Sequence, residues 1–568
     1  MVRRPPELIY SVDEKPPLVP LFLLGLQHIF LITISLIFPV VIIRAAGGGD
    51  QDALFMVSMG ILAAGLVTML QSYGKHGIGS GYLCPSLCGP SYLSSAITAA
   101  QTGGLHLLFG MIFFSGVAEA LLSRVITRLR SLFPVEVTGV VVTFVGIAVL
   151  PIAFPRFVGY NTETGMMNQT DLTIAVITLA IMVGLNLYTK GKIKLYCVLI
   201  GMICGYILSA IMGVLTSTQV SQILNAPVFG FPNISHFGMA FDATLILPFM
   251  IAMICSTLKS IGDITTCQRI NDLDWKRPDM TNIRNGILAD GVADMISGAL
   301  GTFSQSTSSS NVGLSIGTGA TSRYIGYSIG LIMIVLSCFP KLAMIFVIMP
   351  SPVMGAALMY SVSFMVVAGL QILNSRMMDV RKTFVVGLSF LIGLSALIPG
   401  TYDHVPELLK PVFSSTLSLA TITVILLNLV LRIGIRSSIS FEIHPRENTA
   451  QKIFDIMRQQ GGVWGARPEV ITRATSALNE GIEAVSILNP EIPSMDVKVS
   501  FDELSLDTDI SYPGTILEIS KTRPSDSSLL DDEHAMASLS SYMLNRYADS
   551  VSTKQKGDRA HLLIDFDH

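Results

Sequence analysis

Charged residues are scarce in this chain of 568 residues, because Asp, Glu, Lys and Arg together make up only 14% of it. Soluble globular proteins carry about 25% charged residues. Hydrophobic residues make up 51%, and the mean hydropathy is +0.60. This composition excludes a disordered chain and argues against an ordinary soluble enzyme. It predicts that most of the chain lies in a lipid bilayer.

Sequence features of several other protein classes are missing. The seven cysteines form no CxxC motif and no cluster with histidine, which indicates buried free thiols rather than a metal site. No phosphate-binding glycine loop, nucleophile elbow or dinucleotide fingerprint occurs. We therefore expect no cofactor, no nucleic-acid partner and no enzymatic activity. The polar N-terminal segment 1–16 lacks the apolar core of a signal peptide, and we expect it to stay in the cytoplasm.

The two parts of the chain differ in charge. Residues 1–440 carry 25 Lys and Arg against 19 Asp and Glu, whereas residues 441–568 carry 12 against 21. This asymmetry predicts a basic-edged membrane body followed by an acidic cytoplasmic tail. Helical and strand patterns within the tail predict an α+β domain. The expected helices are 451–460, 468–488 and 531–547, and the expected strands are 495–501, 515–519 and 561–566.

One helix of this tail, at 474–483, faintly resembles the Glu/Asn helix in the ATP-binding fold of histidine kinases and anti-sigma factors. The Asp-x-Gly-x-Gly loop that grips the nucleotide in that fold is missing. The sequence therefore favours a non-catalytic domain that acts in regulation, dimerisation or partner docking.

Apolar stretches between residues 17 and 435 give fourteen candidate membrane spans. They are 17–44, 52–71, 81–100, 104–128, 136–154, 171–188, 193–215, 243–262, 285–301, 308–320, 324–349, 352–373, 381–399 and 413–434. With a cytoplasmic N-terminus, the inside loops hold fifteen Lys and Arg residues and the outside loops hold three. This positive-inside bias predicts that both termini are cytoplasmic, in what we expect to be a bacterial inner membrane.

The third and tenth spans open with small, polar and turn-forming residues, at 80–85 and 304–311. They are seven spans apart, so fourteen spans divide into an inverted repeat of seven plus seven. Interrupted spans at matching places in inverted repeats indicate a transporter's binding site. We therefore expect segments 82–85 and 308–313 to face each other at the membrane midplane.

Two pairs of ionisable residues lie within predicted spans, where charge is costly and usually functional. Lys259 and Asp263 are four residues apart on one face of the eighth span. They form either a self-neutralising pair or part of a substrate or ion site. Asp290 and Asp294 repeat this spacing in the ninth span and require a cation, a proton or water. A position near the membrane surface is the alternative for Asp294, and Glu119 in the fourth span is expected to be peripheral.

Several motifs occur in a fixed order along these spans. They are Gln27-His28, Tyr82-x-x-Pro85, Ser260-Ile261-Gly262-Asp263, Ala289-Asp290-Gly291 and the stretch Ser310-Asn311-Val312-Gly313-Leu314-Ser315-Ile316-Gly317-Thr318-Gly319. The last resembles the signature Gln/Glu/Pro-Asn-x-Gly-x-x-x-x-Thr-Gly/Lys/Arg. Together the motifs identify residues 17–435 as similar to the nucleobase–ascorbate transporter family, the uracil/xanthine permease type of nucleobase–cation symporter.

The resemblance implies a core domain of 17–128 and 243–349 and a gate domain of 136–215 and 352–434. It also implies homodimers and coupling to protons or Na⁺. By position, it assigns substrate contacts to Tyr82, Lys259, Ser309, Ser310, Asn311 and Gly313, and ion coupling to His28, Asp263 and Asp290. An aromatic ring at position 82 stacks on the base in such transporters. His28 has a structural alternative, as a histidine bonded to a neighbouring helix.

Two departures from the family concern the substrate. An eighth-span glutamate that binds ring N–H groups is replaced by Lys259, and a tenth-span glutamine or glutamate is replaced by Ser310. A lysine only donates hydrogen bonds and adds positive charge. We therefore expect ion-coupled uptake of a small organic solute that is anionic or carries a carboxylate. The alternatives are a conventional purine or pyrimidine proton symporter (xanthine, urate or uracil), a transporter-like sensor that signals through the tail, and an anion channel.

Overall fold

The computed structural model of the chain contains two compact units. The first comprises residues 1–371 and 388–425, and the second comprises 372–387 and 426–568. The structure describes residues 4–126, 134–160, 165–189, 196–231, 238–273, 275, 278–374, 378–406, 409–431, 437–444, 449–502, 505–520, 522–523 and 533–567. Several predicted cytoplasmic loops rich in Lys and Arg, at 127–133, 190–195 and 375–377, lie outside these ranges.

The region predicted to lie in the membrane is helical, and a helix occupies each predicted span. The helices are α1 (Leu18–Thr33), α2 (Ile37–Ala45), α3 (Asp50–Tyr73), α4 (Leu93–Val125), α5 (Val135–Ile147), α6 (Leu150–Val158), α7 (Gln169–Tyr188), α8 (Cys197–Ile211), α9 (Ser217–Asn225), α10 (Ile246–Asn271), α11 (Met280–Leu300), α12 (Ser309–Thr318), α13 (Arg323–Leu336), α14 (Pro340–Val347), α15 (Ser351–Leu373), α16 (Val380–Ser395), α17 (Lys410–Phe413) and α18 (Thr416–Leu431). Within the described residues, seven helical stretches are long and apolar enough to cross a membrane. The bent pair α13–α14 would make an eighth.

Several predicted spans differ from single straight helices, and three of them show how. The predicted eleventh span, 324–349, consists of α13 and α14, which meet at an angle of 88°. Pro340 opens α14, and proline is favoured at the first position of a new helix. The predicted third and fourth spans share α4, which is interrupted at Gly104 by a φ of 71° and a ψ of −169°. Such backbone angles favour glycine, so Gly104 explains the break.

Close backbone packing joins α4 to α11. A Cβ atom on Gly116 would lie 2.5 Å from the carbonyl oxygen of Gly291, and a Cβ atom on Gly291 would lie 2.6 Å from the backbone nitrogen of Ala120. Small residues allow membrane helices to approach this closely. The same packing brings the acidic residues of α11 against α4.

The N-terminal segment is attached to the turn that follows α12. The backbone N–H of Ile9 donates to the carbonyl of Gly319 at 2.8 Å, and the N–H of Thr321 donates to the carbonyl of Tyr10 at 2.9 Å. The side chain of Arg323 forms an ion pair with Asp13 at 2.9 Å. The end of the helix that carries the family signature is therefore held by residues from the start of the chain.

The second unit contains a five-stranded antiparallel sheet. Its strands are β3 (Ser437–Ile443), β4 (Met495–Asp502), β5 (Ser505–Pro513), β6 (Ser550–Lys556) and β7 (Arg559–Asp567), in the order β3-β4-β5-β7-β6. Helices α19 (Thr449–Trp464), α20 (Pro468–Leu488) and α21 (Glu533–Tyr547) belong to the same unit. Alternate residues of β4 are buried, as the sequence alternation predicts. The α+β prediction for the tail agrees with this arrangement.

The strand predicted at 515–519 is wrong. In the structure this segment follows β5 as irregular backbone. Leu517 is buried in the domain core, and its N–H donates to the hydroxyl of Tyr512 at 3.1 Å instead of to a strand. The alternation of apolar residues in this segment therefore reflects packing against the core without a sheet partner.

A cavity of about 440 Å³ in this domain is lined by residues of α19 and α20, including Phe454, Thr475 and Asn479.

Candidate substrate site

Two short strands meet inside the first unit. Strand β1 (Ser86–Cys88) pairs antiparallel with β2 (Gln305–Thr307), with Ser86 opposite Thr307. Helix α12 begins directly after β2, and a short helical turn leading into α4 begins directly after β1. The interrupted third and tenth predicted spans therefore meet through these strands, and two helix N-termini start at the same place.

Lys259 connects α10 to this strand pair. Its Nζ donates to the carbonyl oxygen of Thr307 and, at 3.4 Å, to Oγ of Ser306. The same nitrogen lies 3.8 Å from Oδ2 of Asp263. The Lys259 side chain is only 4% exposed, so in this conformation its charge is directed at the protein. The geometry matches the self-neutralising alternative for the pair.

Hydroxyl groups extend this contact into a buried polar network. Thr307 Oγ1 donates to Asp263 Oδ2 at 2.7 Å and lies 3.1 Å from the hydroxyl of Ser260. Ser260 in turn donates to Asp290, whose other oxygen accepts a bond from Gln71 Nε2 at 2.9 Å. Asp263 and Asp290 therefore belong to one network that also includes β2. Sequence reasoning found the two acids and missed Gln71.

His28 on α1 contacts helix α12, which follows β2. Its Nδ1 lies 2.8 Å from Oδ1 of Asn311, and Nδ2 of Asn311 donates to Ser308 Oγ at 2.8 Å. With this assignment of the asparagine amide, Nδ1 of His28 carries the hydrogen and Nε2 is an acceptor. Nε2 is buried and has no hydrogen-bond partner. The His28 ring is therefore hydrogen-bonded to α12 through Nδ1, while its acceptor nitrogen Nε2 has no partner.

The remaining predicted substrate contacts lie on different surfaces. Ser310 and Gly313 are exposed on one face of α12, Ser309 beside them is half-buried, and a Cβ atom on Gly313 would meet no atom within 4 Å. Tyr82 packs with a cluster that includes Ile264 and Cys267 of α10 and Val312 of α12.

Two further acids, Asp294 and Glu119, are fully buried in the protein, so Glu119 is not peripheral as expected. Glu119 accepts a hydrogen bond from Thr257 at 2.7 Å. Asp294 accepts bonds at the start of β2 from Ser304 Oγ at 2.7 Å and from the backbone of Gln305 at 3.0 Å. In the described part of the chain, no acids gather with histidine or cysteine into a group that could hold a metal ion.

Known proteins resemble the chain over most of its length. A permease-family model, that of the xanthine/uracil permeases, matches residues 20–398. A relative from Clostridium perfringens that carries the name purine permease is 30% identical over 429 residues, which cover 75% of this chain and 93% of the relative. The xanthine permease XanP of Escherichia coli strain K12 is 28% identical over 443 residues, which cover 75% and 94%.

Among solved structures, that of SLC26A9 covers 83% of this chain and 76% of its own, with 11% identity and a TM-score of 0.49. A similarity this low carries no inference. The family model matches more than half of the chain, and its matched region contains both short strands, Lys259 and the signature stretch. The chain therefore belongs to the xanthine/uracil permease family, the nucleobase–ascorbate transporters, and is a multi-pass membrane protein of that transporter family.

Proposed function

We propose that this protein is a secondary active transporter of an oxopurine or a closely related heterocycle, which it binds as an anion. The observation that carries the proposal is the position of Lys259, which donates to β2 where the N-termini of α4 and α12 converge. Helix N-termini favour negative charge. Relatives named as purine and xanthine permeases support the purine class.

Substrate binding in this proposal uses exposed groups of α12 together with the buried Lys259. Ser310 and Gly313 lie on the open face of α12, and Asn311 lies behind them, bonded to His28. An anionic substrate replaces Asp263 or the Thr307 carbonyl as the partner of Lys259. Its carbonyl groups accept from the Ser310 hydroxyl and from the first amides of α12. Tyr82, which packs with a cluster that includes Val312 of α12, contributes an aromatic face.

The transport cycle proposed here follows the predicted organisation. Fourteen spans form an inverted repeat of seven plus seven, with a core of 17–128 and 243–349 and a gate of 136–215 and 352–434. Both termini lie in the cytoplasm of a bacterial inner membrane, and the protein works as a homodimer. Alternating access moves core against gate while the substrate stays at the midplane.

Coupling in this proposal uses protons, carried by the polar network that contains Asp263 and Asp290 and by His28. These three side chains are buried and connect to β2 or α12 through hydrogen bonds. A change of protonation in the network therefore changes bonds to the elements that hold the substrate. Sodium is the alternative coupling ion. Uptake that depends on Na⁺ is lost when choline replaces Na⁺, whereas uptake coupled to protons is not.

Uptake into proteoliposomes tests the proposal. Purified full-length protein is reconstituted, and accumulation of labelled urate, xanthine, hypoxanthine and uracil is measured with a proton gradient, with a Na⁺ gradient and with neither. We expect accumulation of an oxopurine only under the proton gradient, with an anionic oxopurine preferred. No movement of any of these solutes under any gradient would reject a transporter of this class.

One observation favours a second candidate, the conventional transport of a neutral base. Lys259 is already paired with Asp263 in the structure. In this second candidate, Lys259 holds β2 in place and does not contact the substrate. In that case hypoxanthine and uracil are taken up as well as urate. Lys259→Met then lowers stability without changing which solute is preferred.

A further inference from the structure

Asp294 occupies a position that neither the sequence motifs nor the proposed coupling residues include. It lies one helical turn after Asp290 on α11 and is fully buried. Its Oδ1 accepts two hydrogen bonds from the start of β2, from Ser304 Oγ at 2.7 Å and from the Gln305 backbone at 3.0 Å. One oxygen of the carboxylate therefore anchors the strand that carries the Lys259 contacts.

The second oxygen of this carboxylate has no hydrogen-bond partner. Asp294 Oδ2 is buried and unpaired, and so is the phenol oxygen of Tyr92. Tyr92 comes from the helical turn that follows β1 and is fully buried, and its hydroxyl faces Asp294 and the hydroxyl of Ser115, which itself donates to the Met111 carbonyl. Two unpaired oxygens that face each other in a dry interior are costly. One hydrogen bond between them, with the hydrogen on either oxygen, satisfies both.

No cation in the described residues forms an ion pair with Asp294. The ionisable groups around it are Glu119 from α4, Tyr92, and Asp290 on its own helix, together with the thiol of Cys88 on β1 beside Gln305. Lys259 from α10 is held by Thr307 and Asp263. An ionised carboxylate without a counter-charge is strongly disfavoured in such surroundings, and the usual solution is to bind a proton.

We infer that Asp294 is a proton-binding residue of the transport cycle and that Tyr92 is its hydrogen-bond partner. When Asp294 is ionised, the Tyr92 hydroxyl donates to Oδ2. When Asp294 is protonated, its own O–H donates to the Tyr92 oxygen. The proton comes from water on one side of the membrane and returns to water on the other, so no other reactant is needed. This inference rests on the proposed proton-coupled transport and adds the residue that connects the proton to β2.

The connection to substrate passes through the strand. Hydrogen bonds to an ionised carboxylate are shorter and about twice as strong as bonds to a neutral group. Protonation of Asp294 therefore loosens its hold on Ser304 and Gln305. Two residues further along, Ser306 and Thr307 are the groups that hold Lys259. Proton binding at Asp294 thus changes the position of the strand at which substrate is bound.

Asp294→Asn tests the inference in proteoliposomes. The asparagine keeps an acceptor for Ser304 and Gln305 but does not titrate. We expect exchange of labelled for unlabelled oxopurine to continue at equal pH on both sides, with a KM within about threefold of the unmodified protein. Accumulation driven by a proton gradient should fall by roughly tenfold or more, and substrate-linked proton uptake, read with a trapped pH indicator, should disappear.

Ser297→Ala is the matched control, because Ser297 is buried one turn further on the same helix and its hydroxyl donates to the carbonyl of Ala293 within that helix. It should retain gradient-driven accumulation. If Asp294→Asn also retains it, the inference is overturned while the proposed transport stands. If the unmodified protein moves no solute, the proposed function itself fails.

Tyr92→Phe provides an independent test, which also applies if Asp294→Asn does not fold. The phenylalanine removes the donor to the ionised carboxylate, so the proton is retained to higher pH. The pH midpoint of gradient-driven uptake should move upward by about half a unit or more. An unchanged pH profile would overturn the inference.

Discussion

Lys259 and Asp263 form a buried ion pair across one turn of α10, with Nζ 3.8 Å from Oδ2. Both groups also bond to Thr307, the lysine to its carbonyl and the aspartate to its hydroxyl. One residue of β2 is therefore held by two opposite charges from the same helix. A displacement of this strand disturbs the ion pair, and a ligand that recruits Lys259 disturbs the strand.

Removal of one charge from this pair should be more harmful than removal of both. Lys259→Met leaves Asp263 buried without its cation, at an expected cost of about 3–5 kcal/mol in the free energy of unfolding. The double variant, with Lys259→Met and Asp263→Asn, should regain most of this loss. Thermal unfolding of the unmodified protein, the two single variants and the double variant in one detergent forms a double-mutant cycle. Additive losses would contradict the proposed direct coupling.

The contact between His28 and Asn311 should stabilise the junction of α1 and α12. His28→Phe leaves Oδ1 of Asn311 buried without a donor, which should cost about 1–3 kcal/mol. Exposed His404 provides the control, and His404→Phe should change stability by about 0.5 kcal/mol or less. Melting temperatures of the two variants give the comparison. An equal, small effect for both would show that the buried contact contributes nothing.

Alanine substitutions at two glycines should distinguish an effect on stability from an effect on transport. Gly291→Ala places a Cβ atom 2.6 Å from the backbone nitrogen of Ala120, so α4 and α11 must move apart and the melting temperature should fall. Gly313→Ala meets no atom within 4 Å and should leave the melting temperature unchanged. If the open face of α12 is covered during the cycle, Gly313→Ala should still slow uptake. Normal uptake by Gly313→Ala would show that this face stays open throughout.

The N-terminal segment should protect the turn after α12 from hydrogen exchange. The amides of Thr321 and Arg323 donate to the carbonyls of Tyr10 and Val12, each at 2.9 Å. Ile9→Pro removes the donor to Gly319 and should increase the exchange rates of both amides. Asp13→Ala should have little effect, because the Asp13 side chain is 83% exposed and such ion pairs are weak. Unchanged exchange in Ile9→Pro would mean that the turn is stable without the segment.

Sequence reasoning succeeded where local spacing determines a contact. The four-residue spacing of Lys259 and Asp263 predicted their shared helix face, and the small polar residues before α12 predicted an interrupted span. The membrane class and the family followed from hydropathy and from short motifs. Each of these features lies within one segment of the chain.

Contacts between distant segments were harder to predict. His28 and Asn311 are 283 residues apart, and nothing in either segment identifies the partner. The burial of Asp294 depends on how α11 packs against α4, which the sequence of α11 alone does not show. The cluster that joins Tyr82 to Cys267 and to Val312 is likewise not visible in the motif that carries Tyr82. Only the tertiary arrangement distinguishes these cases.

The most direct test of the account measures which ligands stabilise the purified full-length protein. Urate as the anion and hypoxanthine as the neutral base are compared for the unmodified chain and for Lys259→Glu by thermal shift. A ligand at 100 times its Kd adds about 2.7 kcal/mol of stability. We predict a shift with urate that is lost in Lys259→Glu, and little shift with hypoxanthine. Equal stabilisation of the unmodified chain by hypoxanthine would contradict recognition of an anion by Lys259.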